Sequence, residues 1–213
     1  MKKKICLFDW GGVIETSHIE YQTIRDCLYS LGYYNIHTSD VYDEFHEKDS
    51  FSQFDYINDE SKIDEVLKKY LSKFSDTVTD EDVKKYKEIY INMLVNNPYY
   101  KEVSEYIYSL KGRIEIGILS NASMLDKKRQ DSHINYDKLD YKFLSYELGM
   151  VKPFKEIYEY VNNVLKDYEI LFLDDKEANL EVPKSLGWHT YLVKPGGDLE
   201  GIKKACEEFI KEN

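Results

Sequence analysis

The amino-acid sequence predicts an α/β protein: a five-stranded parallel sheet flanked by helices in a three-layer α/β/α core, with an α-helical cap inserted after the first strand. Two observations carry this prediction. Five short runs rich in β-branched, aromatic and other apolar residues, 5–10, 114–119, 142–144, 170–173 and 190–193, stand out from the sequence, with helix-length amphipathic stretches between the later ones. The first, second and fourth runs are nearly continuous in apolar residues, as in strands buried on both faces of a sheet. The interval 15–96 breaks that rhythm, because it holds no convincing buried strand and reads as helices throughout.

Taken in order, the first run ends in Asp9-Trp10 and passes into Gly11-Gly12, a turn signal. The inserted segment reads as four helices, 17–31, 39–48, 61–74 and 80–95. The last has the strongest start, Thr79 ahead of Asp80, Glu81 and Asp82: a capping hydroxyl followed by acidic residues in the first turn. Asn97-Pro98 marks the return to the core, since the residue before proline is pushed out of helical geometry. Residues 99–110 space Val103, Tyr106, Ile107 and Leu110 at helical intervals and stop at Gly112, while Pro153 precedes a helix over 155–165. The expected division is a core of 1–14 with 97–213 and a cap of 15–96. If the cap moves, the links near 14–17 and 95–98 must flex. Aromatic residues of the insertion, among them Tyr29, Tyr33, Tyr34, Phe45 and Phe54, are read as the large side chains a small cap needs for its own core.

Composition narrows the function classes. With 29 Lys+Arg against 40 Asp+Glu, the net charge of −11 would repel a phosphate backbone or an anionic bilayer, so neither nucleic acid nor membrane is expected as a partner. Three scattered cysteines form neither a disulfide framework nor a zinc motif, Cys6 reads as an inert buried thiol, and a cytoplasmic home is the expectation. Lys2, Lys3 and Lys4 are not followed by the uninterrupted apolar run of a targeting segment. His46 and His133 have no metal-ligand partner at helical spacing. Monomer and dimer are not distinguished by sequence.

The chemistry lies at strand ends. The first run ends in Asp9 and the fourth in Asp174-Asp175, and ligands of open parallel sheets bind outside the carboxyl ends of the strands. If these strands are neighbours, three carboxylates converge, which like charges tolerate only with protonation or a bound cation; all-oxygen ligands favour a hard ion such as Mg²⁺. The second run ends in Ser120-Asn121, a hydroxyl, an amide and backbone N–H groups suited to an oxyanion. Lys152, before Pro153, adds a cation.

These four segments, in this order, resemble the haloacid dehalogenase superfamily, specifically its phosphatase branch with a helical cap after the first strand. Phe-Asp-Trp-Gly-Gly-Val-Ile around Asp9, Ile-Leu-Ser-Asn around Ser120, Gly-Met-Val-Lys-Pro around Lys152 and Asp174-Asp175 carry the likeness, which extends through Glu177-Ala178-Asn179 to Thr190. The resemblance implies a Rossmann-like core and a Mg²⁺-dependent phosphatase acting on a small phosphorylated metabolite, a sugar phosphate being one candidate. It makes Asp9 the nucleophile that becomes an aspartyl-phosphate, Asp9, the Gly11 carbonyl, Asp174 and Asp175 the metal ligands, Ser120, Asn121 and Lys152 the phosphate-binding groups, and Lys152 a catalytic cation. One position departs from the pattern: most of these phosphatases carry an acid/base aspartate where this chain has Gly11. Glu15 and His18 are the candidate substitutes. Two alternatives follow, a ligand-binding module without efficient turnover and a metal-free dehalogenase; the Asp174-Asp175 pair argues against the second.

Overall fold

The computed structural model describes residues 2–16, 21–37, 39–40, 59–127, 133 and 135–212. Its core is a five-stranded sheet in the order β3-β2-β1-β4-β5, with every neighbouring pair parallel. The strands are β1 (Lys3–Phe8), β2 (Glu115–Ser120), β3 (Tyr141–Leu144), β4 (Tyr168–Asp174) and β5 (His189–Leu192). They lie within one or two residues of the expected runs. The exceptions at the ends are informative: β1 stops at Phe8, so Asp9 and Trp10 belong to the turn, and β5 begins at His189 and ends before Val193.

The continuous apolar runs are explained by the two faces they supply. Cys6 and Phe8 of β1, with Ile116 and Ile118 of β2 and Leu171 and Leu173 of β4, pack beneath α4 (Lys101–Ser109) and α8 (Leu199–Lys211). Ile5 and Leu7, with Leu119, Ile170 and Phe172, pack on the opposite face against α6 (Lys155–Val164) and α7 (Ala178–Ser185). Period-two alternation therefore sends both kinds of position into apolar cores, giving three layers. Helix α8, whose Asp198 side chain caps it by accepting from the Gly201 N–H, has a clear start signal that the sequence reading passed over.

Between β1 and β2 come α1 (Tyr21–Ser30), α2 (Glu60–Leu71) and α3 (Asp80–Val95). Helix α3 has its expected bounds, and Thr79 and Asp82 cap it reciprocally: the Asp82 N–H donates to Thr79 Oγ1 at 3.2 Å and the Thr79 N–H to Asp82 Oδ2 at 2.8 Å. Apart from residues 39–40, the expected helix 39–48 lies outside the described residues, as do Phe45, His46, Phe51, Phe54 and Tyr56. These inserted helices bury their own cluster, including Cys27, Leu28, Ile63, Leu67, Tyr86 and Leu94, and Leu125 from the β2–β3 connection joins it. Of the aromatics expected to be core, Tyr33 packs against this cluster, but Tyr34 is 71% exposed. The short α5 (Ser145–Leu148) closes on Gly149 in the left-handed conformation. No helix among the described residues is long and apolar enough to cross a membrane.

The two links to the insertion are paired to each other. The Thr16 N–H donates to the Pro98 carbonyl at 3.2 Å, the Tyr100 N–H to the Ile14 carbonyl at 2.8 Å, and Glu15 forms an antiparallel bridge with Tyr99. These bonds join residues 14–16 of the outgoing link to 98–100 of the returning one.

Candidate active site

Register brings the carboxylates together. Phe8 pairs with Leu173, so Asp9 and Asp174 stand level at the ends of adjacent central strands, and the Asp9 N–H donates to the Leu173 carbonyl at 2.9 Å. Phe8 also pairs with Ile118 on the other side, which puts Ser120 just beyond the level of Asp9. This is the point where chain connections leave in opposite directions, from β1 toward β2 and from β3 across to β4. Oxygens of Asp9, Asp174 and Asp175 lie within 4.8 Å of one another.

Lys152 reaches this cluster from the loop before α6, buried to 4% exposure. Its ammonium stands 2.9 Å from Asp9 Oδ1 and 2.6 Å from Asp174 Oδ2. Asn121 holds that loop in place: its Nδ2 donates to the Lys152 carbonyl at 2.9 Å and its Oδ1 accepts from the Lys152 N–H at 2.8 Å. Ser145 Oγ, fully buried, fixes the segment after Ser120 in the same reciprocal manner, accepting from the Ala122 N–H at 2.9 Å and donating to the Ala122 carbonyl at 3.0 Å. Asn179 Nδ2 is 2.9 Å from both oxygens of Asp174, and the Lys176 N–H adds a bond of 2.8 Å. Ser145 and Asn179 were missed by sequence reasoning. Asn179, one helical turn beyond the Asp174-Asp175 pair at the start of α7, carried a usable signal.

Burial sets the electrostatics. Desolvation pushes the Asp9 carboxyl from 3.8 up to about 7, against the pull of the Lys152 ammonium and with added repulsion from Asp174. Asp175 is raised by burial and then by Asp174. Asp174 is also desolvated, but the Lys152 charge and its donors win and hold it below the ordinary value. The two carboxylates likewise outweigh burial at Lys152 and raise it. Three carboxylates against one ammonium leave an excess of two negative charges when all are ionised, and Asp175 Oδ1 is buried with no hydrogen-bond partner among the described residues. An all-oxygen set with a deficit of two positive charges and an orphaned carboxylate oxygen fits a hard divalent cation.

Gly12 explains how Asp175 gets so close. Its φ of +78° suits glycine, and a Cβ there would stand 2.2 Å from Asp175 Oδ2. At Gly11, by contrast, a Cβ would meet nothing within 4 Å. His18 lies outside the described residues. Glu15, the other candidate acid/base, is 1% exposed: Oε2 accepts from Trp10 Nε1 at 2.6 Å and faces His133 Nδ1 at 3.0 Å, and Oε1 accepts from Asn97 Nδ2. Its partners Asn97 and His133 carried no recognisable signal in the sequence.

No family model matches the chain. A curated relative, the D-ribitol-5-phosphate phosphatase of Bacteroides thetaiotaomicron, is 26% identical over 213 residues, spanning 92% of this chain and 94% of that protein. A haloacid dehalogenase-family enzyme of Bacteroides thetaiotaomicron, solved with magnesium and inorganic phosphate, superposes with a TM-score of 0.73 at 23% identity, covering 94% of this chain and 98% of that one. A predicted hydrolase of the same family from Porphyromonas gingivalis gives a TM-score of 0.71 at 19% identity over 100% of both chains.

Proposed function

We propose that this member of the haloacid dehalogenase superfamily, a phosphoric monoester hydrolase, removes phosphate from a small phosphorylated polyol or sugar with Asp9 as nucleophile. The observation that carries the reading is the buried triad of Asp9, Asp174 and Asp175 with Lys152 inserted between the first two. The substrate class is supported by the relative that acts on D-ribitol 5-phosphate. A dehalogenase, which displaces halide without a metal, has no use for two further carboxylates beside its nucleophile.

Asp9, Asp174, Asp175 and the Gly11 carbonyl would hold Mg²⁺, which when bound neutralises charge on the transferring phosphoryl group. The rest falls to the chain itself. Lys152 and the Trp10 N–H both bond Asp9 Oδ1, at 2.9 and 2.6 Å, so we assign Oδ2 to the attack on phosphorus. The P–O bond to the leaving alcohol breaks as the Asp9–phosphorus bond forms, and water then releases inorganic phosphate and restores Asp9. Ser120 and the Asn121 N–H receive the equatorial oxygens, and Lys152 aims Asp9 and favours its ionised form against the pull of burial. An alkoxide leaving group needs a proton, and with Gly11 in the usual position and Glu15 engaged elsewhere we assign that task to His18.

The test is phosphate release from a panel of polyol and sugar phosphates with Mg²⁺ or EDTA, with Asp9→Asn as control. Mg²⁺-dependent release that the control abolishes supports the proposal. Inactivity on the whole panel, or release the control leaves intact, refutes it.

A further inference from the structure

Where the chain leaves β1 for the inserted helices, a second buried polar cluster stands beside the catalytic one. Its centre is Glu15. Trp10, which immediately follows Asp9, donates its indole N–H to Glu15 Oε2 at 2.6 Å, while the Trp10 carbonyl accepts from the Ile14 N–H at 2.9 Å and the Glu15 N–H at 3.2 Å. The Gly12 N–H donates to the Glu15 carbonyl at 2.7 Å. Side chain and backbone of one residue therefore close the turn from Asp9 to Glu15 onto itself.

The same carboxylate reaches outward. Asn97, on the returning link, donates to Oε1 and also to the Thr16 carbonyl at 3.2 Å. His133, from the β2–β3 connection, bonds Oε2 through Nδ1 at 3.0 Å and the Val95 carbonyl through Nε2 at 3.1 Å, and its ring stacks on Tyr99 at 4.7 Å. The Val95 carbonyl can only accept, so Nε2 carries a proton, and Nδ1 and Glu15 Oε2 share one more between them. The buried carboxyl group of Glu15 is thus hydrogen-bonded at both oxygens, which is what retains it there. One carboxylate thus ties together the nucleophile's turn, both links to the insertion, and the connection that follows the phosphate-binding Ser120.

We propose that Glu15 is a positioning residue for Asp9: with His133 and Asn97 it bolts the turn carrying the nucleophile to the paired root of the cap, so that Asp9 keeps its aim when the outer helices move. The inference rests on the phosphatase reading for its kinetic consequence and on the hydrogen bonds alone for its spectroscopic one. Misplacement of a reacting group by an ångström costs about 10²-fold in rate, so the expected effect falls on kcat.

Glu15→Ala and Glu15→Gln are compared with the intact protein on p-nitrophenyl phosphate and on an alkyl phosphate. Gln keeps the shape but turns an N–H toward Trp10 Nε1 or toward Asn97 Nδ2, so it should retain part of the activity. The expected result is a roughly ten- to hundredfold fall in kcat for Glu15→Ala, equal for the two substrates, with KM little changed and Glu15→Gln intermediate. In nitrogen–proton correlation spectra, the Trp10 indole resonance, one of only two such signals, should move in both variants. A loss confined to the alkyl phosphate would make Glu15 the proton donor and overturn the proposal, as would a lowered melting temperature with kcat intact. If the intact protein hydrolyses nothing, the phosphatase reading fails separately. The proposal then stands if Glu15→Ala shifts the Trp10 resonance and weakens binding of orthovanadate, which adopts the five-coordinate geometry of the transferring phosphoryl group, at least about tenfold in Mg²⁺, and falls if both are unchanged.

Discussion

On the proposed mechanism, replacing Asp9 should abolish turnover, and it should stabilise the metal-free fold. Asp9 titrates near 7 when folded and near 3.8 in the absence of burial, so between those values the folded protein holds a proton that the unfolded chain has released. Stability from this group is fully present below about pH 3.8 and is lost as the pH rises through about 7. The shift of 7 − 3.8 = 3.2 corresponds to about 4 kcal/mol at 1.36 kcal/mol per unit. Asn has no proton to lose and keeps an oxygen for Lys152 and the Trp10 N–H. In EDTA at pH 8, Asp9→Asn should therefore exceed the wild type by about 4 kcal/mol relative to their difference at pH 4, roughly 10 °C in melting temperature for a chain of this size. Urea and thermal unfolding across this pH range measure it: titrating groups remote from Asp9 cancel between the two proteins, while Lys152, Asp174 and Asp175, which feel its charge, enter the difference. Saturating Mg²⁺ should erase much of the gap, because wild type at a hundredfold excess over Kd gains about 2.7 kcal/mol. A pH-independent difference, or a wild type more stable at pH 8 in EDTA, would refute the reasoning.

Other substitutions probe the remaining parts. Gly12→Ala places a methyl against Asp175 and strains a left-handed φ, so calorimetry should show Mg²⁺ affinity down about tenfold or more and stability down by about 1–3 kcal/mol; unchanged Mg²⁺ affinity would contradict the placement of Asp175. Lys152→Met leaves Asp9 and Asp174 buried without their cation and should cost about 3–5 kcal/mol in EDTA, with turnover lost even in excess Mg²⁺. Mg²⁺ binding competes with the Asp9 proton, so its affinity should fall as the pH drops below about 7, and titration at pH 6 in two buffers of different ionisation heat should register proton release. His18→Gln should slow alkyl phosphates by about 10²-fold and p-nitrophenyl phosphate far less; equal slowing would remove His18 from the proton-donor role.

What the sequence could reveal followed from short-range pattern. Continuous apolar runs in β1, β2 and β4 have both faces buried, and that is visible residue by residue. The strand-end position of Asp9 and Asp174 followed from the same runs, and their adjacency needed only the expectation that β1 and β4 pair. The Thr79–Asp82 cap was legible because it is local. Asn97 and His133 were not, since each lies 82 or more residues from Glu15 and owes its meaning to long-range contacts. The engagement of Glu15 was hidden for that reason: without its partners in view, a carboxylate six residues after Asp9 gave no sign of being buried. Tyr34 was expected inside with the other aromatics of the insertion, from helical spacing and the large side chains a small cap core needs, and it is exposed.

The central claim is that phosphate passes through Asp9. Rapid acid quench of the protein during turnover of a polyol or sugar phosphate in Mg²⁺, followed by peptide mass spectrometry, tests it directly. The account predicts a phosphoryl group on the peptide containing Asp9, absent in EDTA and in Asp9→Asn. Turnover with that peptide unmodified throughout, or with the phosphoryl group on another residue, would contradict it.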